Sequence, residues 1–164
     1  MSRIIAGFIL CALTGAVLPM SACIQIGPGD DGGDGGSDSS TELTVRFENH
    51  TLRAVDVQLY ATGQPVNNLE TDLFAPANQV TQGIGFAGSG VIQAGASDEV
   101  VLTCANVNTI GTRGGRFLDQ DSGEQVGIGQ QRVLFLGLQF ACGDQVTFIY
   151  SSSGGGFQTS LRID

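Results

Sequence analysis

Three acidic side chains around one Gly-containing turn are the first group in this sequence whose types and spacing point to chemistry. Asp119, Asp121 and Glu124 flank the turn, and carboxylate oxygens are the ligands that Ca²⁺ prefers. The spacing matches only half of the start of an EF-hand loop, and calcium takes six or more oxygens. An ordinary solvated turn is the alternative. The same acids would be the acid–base pair of a small hydrolase.

Tyrosine and histidine side chains are the next candidates. Tyr60 and Tyr150 lie on predicted strands whose other side is apolar, so they are candidates for exposed rings on which a sugar stacks. Packing between neighbouring strands is the alternative. His50 is the single histidine and lies in a predicted turn. Because no Gly-x-Ser-x-Gly motif accompanies it, we expect a solvated side chain and no Ser-His-Asp site.

The charge balance limits the classes of partner. The chain has 164 residues, of which 41% are hydrophobic, and its formal net charge is -9 with seven basic residues, all of them Arg. A nucleic-acid binder needs a basic face to release counterions from phosphates, so nucleic acid is not expected as a partner. The lack of Lys and the single His also exclude a P-loop, a catalytic Lys and a His cluster.

The elements that must position these side chains are predominantly β-strands. Leu43, Val45 and Phe47 alternate with polar residues, and the alternation returns over 55–59 after a turn at Asn49–Thr51, which predicts a β-hairpin. Gly-rich turns separate the later candidates, and the pattern predicts an all-β antiparallel β-sandwich, immunoglobulin-like or a small barrel, of about 7–9 strands. The later candidates are Gly90–Ala94, Glu99–Cys104, Gly115–Leu118, Gln125–Gly129, Val133–Cys142, Val146–Tyr150 and Phe157–Ile163.

Two further segments have distinctive patterns. Asn68–Phe74 begins with a capping residue and is followed by Pro76, which predicts a single helical turn. Val133–Cys142 is apolar on both faces, so it is expected to be a central, fully covered strand.

The N-terminus has the features of an export signal. Arg3 precedes an uncharged apolar run from Ile4 to Met20, which resembles the hydrophobic region of a secretory signal. The following Met20-Ser21-Ala22-Cys23 resembles the lipobox of bacterial lipoproteins. The resemblance implies that residues 1–22 are removed and that Cys23 carries a thioether-linked diacylglycerol and an acylated amine. Ile24 in place of Asp implies the outer membrane rather than the inner one.

A Gly- and Asp-rich segment separates this signal from the domain. Residues 24–42 contain six Gly and four Asp and have no aromatic side chain, so they cannot bury enough apolar surface to fold. A Gly-rich chain of this length has a reach of roughly 25 Å. The expected organisation is a signal peptide over 1–22, a lipidated cysteine and flexible tether over 23–42, and one domain over 43–164.

The resemblance also bears on the cysteines. Four cysteines allow three pairings into two disulfides. The lipoprotein resemblance implies that Cys11 leaves with the signal and that Cys23 is lipidated, which leaves Cys104 to pair with Cys142. An exported protein meets an oxidising compartment, where such a bond forms. A metal or redox pair is the alternative, without CxxC spacing or a nearby His to favour it.

Together these features predict a membrane-anchored bacterial lipoprotein that displays a non-enzymatic β-sandwich in the cell envelope. Its expected partners are the lipid membrane, through the acyl chains, and a protein or glycan. The strand–turn–strand segment Gly90–Cys104 loosely resembles the immunoglobulin-like modules of secreted bacterial proteins. The alternatives are a small carboxylate-dependent hydrolase and a periplasmic assembly factor.

Overall fold

The computed structural model describes residues 40–80, 84–85 and 88–164. These residues belong to one compact unit, Ser37–Asp164. The predicted signal peptide, Cys23 and the tether up to residue 39 lie outside the described residues. Over the described ranges, no helix has both the length and the apolar character that a membrane span requires.

The described chain is mostly β-structure, with three short helical turns. The turns are a π-helical turn at Leu69–Leu73 and 3-10 turns at Pro76–Asn78 and Cys104–Asn106. The strands are β1 (Glu42–Asn49), β2 (Ala54–Asp56), β3 (Leu59–Thr62), β4 (Gln79–Val80), β5 (Val91–Ile92), β6 (Ser97–Thr103), β7 (Thr109–Thr112), β8 (Arg116–Leu118), β9 (Gln125–Ile128), β10 (Arg132–Phe135), β11 (Gln145–Ser153) and β12 (Gly156–Ile163).

One layer of the sandwich is a four-stranded sheet with the order β12-β11-β1-β6. Its central pair, β1 and β11, is parallel, with Thr44 opposite Gln145 and Asn49 opposite Tyr150. The other two pairs are antiparallel. The sheet is therefore mixed, and the expectation of a purely antiparallel sandwich is wrong at this pair. The two parallel strands are far apart in sequence, so no local turn signal could indicate their pairing.

The other layer consists of two short sheets that continue into each other. Their orders are β10-β7-β3-β4 and β9-β8-β2-β5, and β2 runs on into β3 as β7 does into β8. The layer bends where these strands are interrupted. At the bend the backbones of Gly114 and Gly129 cross so closely that a Cβ on Gly114 would collide with the Gly129 carbonyl, and Gly114 has a φ of 105°. Only glycine both adopts this positive φ easily and leaves room for the crossing backbone.

The main hydrophobic core lies between the layers, and a smaller cluster of Tyr60, Leu73 and Phe74 is separate from it. The alternation predicted for β1 is confirmed, because Leu43, Val45 and Phe47 are fully buried. Phe47 stacks on Phe148 of β11 at 5.7 Å between ring centroids. Phe117 of the bent layer is also fully buried. The all-β sandwich is thus confirmed, and over the described residues its sheets do not close into a barrel.

The predicted hairpin between residues 43–47 and 55–59 is wrong. β1 pairs with β6 and β11, whereas β2 pairs with β5 and β8 in the opposite layer. The reason lies at Asn49, whose buried side-chain amide donates to the carbonyl oxygens of Arg53, Ile92 and Gln93 at 2.7 to 3.1 Å. These bonds turn the chain across to the other layer. Alternation along a strand fixes its faces but not its partners.

Val133–Cys142 is not the central, fully covered strand that its apolar composition predicts. β10 ends at Phe135 and lies at the edge of its sheet. Gly137 then has a φ of 76°, which turns the chain, and Leu138 is 79% exposed. The side-chain carbonyl of Gln139 accepts the Phe135 N–H at 2.8 Å. An apolar run can therefore contain a turn when a glycine adopts the left-handed conformation.

The described residues form more strands than the seven to nine expected, because the bend divides strands that would otherwise be continuous. β7, with its Thr-Ile-Gly-Thr sequence, was not predicted, because its glycine and the Asn residues before it are typical of loops. The helical turn after Asn68 is confirmed. The Asn68 side chain accepts the N–H groups of Glu70 and Thr71, as an N-cap does.

Candidate functional site

The parallel strands β1 and β11 define two ends of the domain. The proximal end is where β1 begins at Glu42 and the chain finishes at Asp164, which exchanges two backbone hydrogen bonds with Gln145. The distal end is where β1 finishes at Asn49 and β11 at Ser153. Eight residues of extended strand span about 26 Å, so the two ends are well separated.

The proximal end contains the disulfide between Cys104 and Cys142, with the two Cα atoms 5.9 Å apart. The predicted pairing is confirmed. The Cys104 N–H donates to the Thr41 carbonyl at 2.8 Å, and the Gly143 N–H donates to the Glu42 carbonyl at 2.8 Å. The disulfide therefore joins the two segments that hold the start of β1 in place.

The distal end contains a cleft with a volume of about 570 Å³, within the range of small-ligand pockets. Three loops that are distant in sequence form its walls: residues 51–53 after β1, residues 119–121 after β8, and residues 152–157 at the turn between β11 and β12. The lining combines an exposed leucine, an arginine, two aspartates, serine hydroxyls and one aromatic ring. It is the candidate functional site.

The first wall of the cleft is held by side-chain hydrogen bonds from beneath. The Asn49 side-chain oxygen accepts from the Thr51 N–H at 3.0 Å and from the Thr51 hydroxyl at 2.8 Å. The Gln120 side-chain amide donates to the Leu52 carbonyl at 2.7 Å, which joins the first wall to the second. The Leu52 side chain is 88% exposed. A fixed backbone thus presents an exposed apolar side chain.

Asp119 organises the second wall. One carboxylate oxygen accepts the N–H groups of Asp121 and Ser122 at 3.2 and 3.1 Å, and the other accepts from Arg53 Nη1 at 2.9 Å. The turn N–H groups and the Arg53 guanidinium stabilise the ionised carboxylate, and they lower the pKa of Asp119 to about 2. Asp119 is therefore an anion at neutral pH, with both oxygens already occupied.

The third wall is the tip of the β11–β12 hairpin. Ser153 pairs with Gly156, and Gly154 and Gly155 between them have φ values of 59° and 82°. This is the left-handed conformation that a two-residue hairpin turn of this kind requires and that glycine adopts most easily. The tip brings exposed serine hydroxyls to the cleft, and Phe157, which lies directly after it, is half-buried.

The aromatic ring of the cleft is fixed from behind. Phe157 stacks on the buried Phe117 with 4.1 Å between ring centroids and 18° between the planes. Gly127 on the neighbouring strand leaves room for the ring, since a Cβ there would collide with it. The Phe157 ring is thus a rigid part of the cleft wall.

Two of the three acids predicted as a calcium site line the cleft, and the three are not arranged around one point. Asp119 and Asp121 line the cleft, whereas Glu124 is not among the lining residues and is exposed. In the part of the chain that the structure describes, no group of three or more His, Cys, Asp or Glu side chains is arranged to hold a metal ion. The Asp119 oxygens bind Arg53 and the turn instead.

Tyr60 and Tyr150, the candidates for exposed sugar-stacking rings, are both buried, and packing is the interpretation that the structure supports. Tyr150 is fully buried, and burial raises the pKa of its hydroxyl far above the ordinary value. Tyr60 is 6% exposed and packs edge-on against Phe74. Tyr150 belongs to the main core, whereas Tyr60 lies on the other face of β3 from Leu59, in a separate cluster with Leu73 and Phe74. His50 is exposed as expected, with its Nε2 3.2 Å from a Glu48 carboxylate oxygen.

Sequence reasoning found the acids of this site but missed the rest of it. Arg53 and Phe157 come to the cleft from parts of the chain about a hundred residues apart. Phe157 was assigned to a strand, and no feature marked its ring as half-buried rather than part of the core. The run Ser151–Gly156 is the one available signal, because small and polar residues at a hairpin tip are typical of an accessible loop.

Comparisons with known proteins assign no family. No family model matches the chain, and no curated protein matches it. A solved structure described as "Structure of a disulfide locked mutant of Intermedilysin with human CD59" is similar with a TM-score of 0.45 and 11% sequence identity. The match covers 75% of this chain and only 24% of that chain. A similarity this distant carries no functional assignment.

Proposed function

We propose that this protein is a bacterial lipoprotein of the cell envelope, most consistent with the outer membrane, that presents a non-enzymatic β-sandwich for binding. The observation that carries the proposal is the separation of the two ends. The chain from Cys23 reaches the domain at its proximal end, and the cleft lies at the distal end. An anchor at Cys23 would therefore join the domain at the end opposite the cleft.

The disulfide supports the same compartment. A bond between Cys104 and Cys142 forms and persists in oxidising surroundings, such as the periplasm or the cell surface. It also lies beside Thr41 and Glu42, where the tether joins the domain.

The state of the cleft acids favours binding over hydrolysis. A general acid for glycoside hydrolysis needs a raised pKa, whereas the pKa of Asp119 is lowered to about 2 by the turn N–H groups and Arg53. Asp121, the other acid of the cleft, is exposed to solvent.

Mass spectrometry of the native protein tests the anchor. We expect a mature chain that begins at Cys23 with a diacylglyceryl thioether and an acylated amine, and that partitions with the membrane fraction. The Cys23→Ala variant is the control, and it is expected to lose both the modification and the partitioning. An unmodified Cys23, or an intact Met1–Ala22 leader on the native product, would overturn the proposal.

Protease treatment of intact cells then determines which face of the membrane carries the domain. Loss of the domain indicates surface display, which favours a binding role outside the cell. Protection until the outer membrane is permeabilised indicates the periplasmic face, where a role as an assembly factor is the second candidate. A periplasmic marker protein, followed in the same samples, shows whether the cells stayed intact.

A further inference from the structure

We propose that the distal cleft binds a neutral oligosaccharide, with one sugar ring against Phe157 and its hydroxyl groups on Arg53 and Asp121. This assignment rests on the proposed function as an envelope binding module, and it names the ligand class of that module. Four properties of the cleft carry it: its planar polar groups, its fixed aromatic wall, its charge balance, and the shortness of the strand edge among its described walls.

The polar groups of the cleft suit a ligand that is rich in hydroxyls. A carboxylate only accepts hydrogen bonds and a guanidinium only donates them, so the two together satisfy a hydroxyl in both its roles. Asp121 is exposed, and over the described residues Arg53 bonds a side chain only through its Nη1, to Asp119. The remaining guanidinium N–H groups and the exposed hydroxyls of Ser152 and Ser153 are available to a ligand.

The aromatic wall supplies the apolar contact that a sugar ring needs. Phe157 is half-buried and lines the cleft, and its stacking on Phe117 fixes its orientation before any ligand arrives. A pyranose has an apolar face of C–H groups, which packs against such a ring. The exposed Leu52 on the first wall adds to the apolar surface. Because the wall is preorganised, binding does not have to order it.

The charge balance of the cleft disfavours an anion. Arg53 is already neutralised by Asp119 at 2.9 Å, and Asp121 adds a further negative charge. The whole chain has a formal net charge of -9. A phosphate- or sulfate-bearing ligand would have to approach this field without a free cation to meet it. A neutral ligand has no such cost.

A peptide that adds a strand finds only a short edge in the walls of the cleft. β12 lies at the edge of its sheet, but only Gly156 and Phe157 of its eight residues line the cleft. β2, which follows the first wall, has a partner on each side. Strand addition needs unpaired N–H and C=O groups along an edge. The side chains and loop backbone of the cleft therefore have to provide the recognition.

Calorimetric titration of the full-length protein in detergent micelles tests the assignment. The probes are chitotetraose, cellotetraose and maltotetraose as neutral sugars, a sulfated heparin tetrasaccharide as the anion, and a neutral tetrapeptide of Ala and Gly. We expect at least one neutral tetrasaccharide to bind, more tightly than its own monosaccharide, and the anion and the peptide not to bind.

Variants locate the site. Asp121→Ala removes an exposed side chain and leaves the fold unaffected, so it is expected to weaken sugar binding at least tenfold at an unchanged Tm. Phe157→Ala is expected to abolish binding, but it also removes a ring that packs on Phe117, so Asp121→Ala is the decisive variant. Leu138→Ala alters an exposed leucine outside the cleft, and it should leave the affinity unchanged.

Several outcomes would overturn the assignment. Binding of none of the three neutral sugars at millimolar concentration would do so, as would binding that Asp121→Ala leaves intact. Binding of the peptide alone would replace the sugar with a protein partner. The lipid on Cys23, measured by mass spectrometry on the same preparation, distinguishes this failure from failure of the proposed lipoprotein. If the protein is lipidated but binds no sugar, only the assignment of a sugar ligand is overturned, and the lipoprotein proposal stands.

Discussion

The proximal and distal ends of the domain are stabilised in different ways. At the proximal end a covalent bond between Cys104 and Cys142 and backbone hydrogen bonds to Thr41 and Glu42 hold the first strand. At the distal end the loops are held by side chains, chiefly the buried Asn49 and the ion-paired Asp119. The end that joins the tether is strengthened covalently, whereas the end with the cleft depends on polar networks that a mutation or a change of pH can alter. The two ends should therefore respond to different perturbations.

The largest effect is expected at the proximal end. The Cys104→Ala/Cys142→Ala double variant removes a crosslink between residues separated by 38 positions, and in the chain-entropy model it lowers the free energy of unfolding by about 4 kcal/mol. Denaturant unfolding followed by circular dichroism measures the change. Below the new Tm the affinity of the distal cleft should be unaltered. If the free energy of unfolding falls by less than about 1 kcal/mol, the disulfide is not what stabilises the proximal end.

Asn49→Ala is expected to cost about 3 kcal/mol, because its fully buried amide bonds the carbonyl oxygens of Arg53, Ile92 and Gln93 and its removal leaves several of these groups without a partner. Unlike the disulfide variant, it should also weaken ligand binding, since the first wall of the cleft loses its support. Denaturant unfolding and calorimetric titration give the two readouts.

Gln120→Ala is the matched control for Asn49→Ala. It also removes an amide that bonds the first wall, at the Leu52 carbonyl, but its side chain is exposed. We expect a change within about 0.5 kcal/mol. If the two variants cost the same, burial of the Asn49 amide is not what stabilises the distal end.

Acidification should destabilise the distal end by protonating Asp119. Its pKa is lowered from 3.8 to about 2 in the folded protein, so the stabilisation is fully present above pH 4 and is lost as the pH falls through 2. Asp119→Asn cannot ionise and lacks this dependence. The free energy of unfolding, measured at pH 5 and pH 2.5 for both proteins, should therefore fall more in the wild type than in the variant.

Other acids do not obscure this comparison. Hydrogen bonds also lower the pKa of Asp72, and ion pairs with Arg162 and Arg46 outweigh burial to lower that of Glu48. Both groups are present in the wild type and in Asp119→Asn, so their contributions cancel in the difference between the two proteins. Equal losses of stability on acidification would exclude Asp119 as the origin of the acid sensitivity at the distal end.

The sequence predicts which face of a strand is buried, but it does not predict which strands pair. Leu43, Val45 and Phe47 point inward as their alternation predicts, because side-chain direction is a local property of a strand. The pairing of β1 with β11 joins residues about a hundred positions apart, and no local pattern encodes it.

The candidate site was predictable only in part, for the same reason. Asp119 and Asp121 lie within one turn, so their proximity could be read directly from the sequence. Arg53 reaches that turn through the pairing of β2 with β8, and Phe157 reaches the cleft from the other layer, through its stacking on Phe117. The calcium interpretation did not anticipate the bond from Arg53 to Asp119. The Arg53 guanidinium occupies the carboxylate that was expected to bind the ion.

The smallest change in stability is expected from a pair of exposed leucines, one at each end, and this pair compares the ends most directly. Leu52 is 88% exposed and lines the cleft, whereas Leu138 is 79% exposed in the turn that precedes Cys142 and lines no part of it. Replacing either residue by Ser should change the free energy of unfolding by less than about 0.5 kcal/mol.

Single exposed apolar side chains are common and need no functional explanation. If the distal end is the binding end, Leu52→Ser weakens sugar binding in calorimetric titration while Leu138→Ser does not, and equal affinities for the two variants would remove Leu52 from the site.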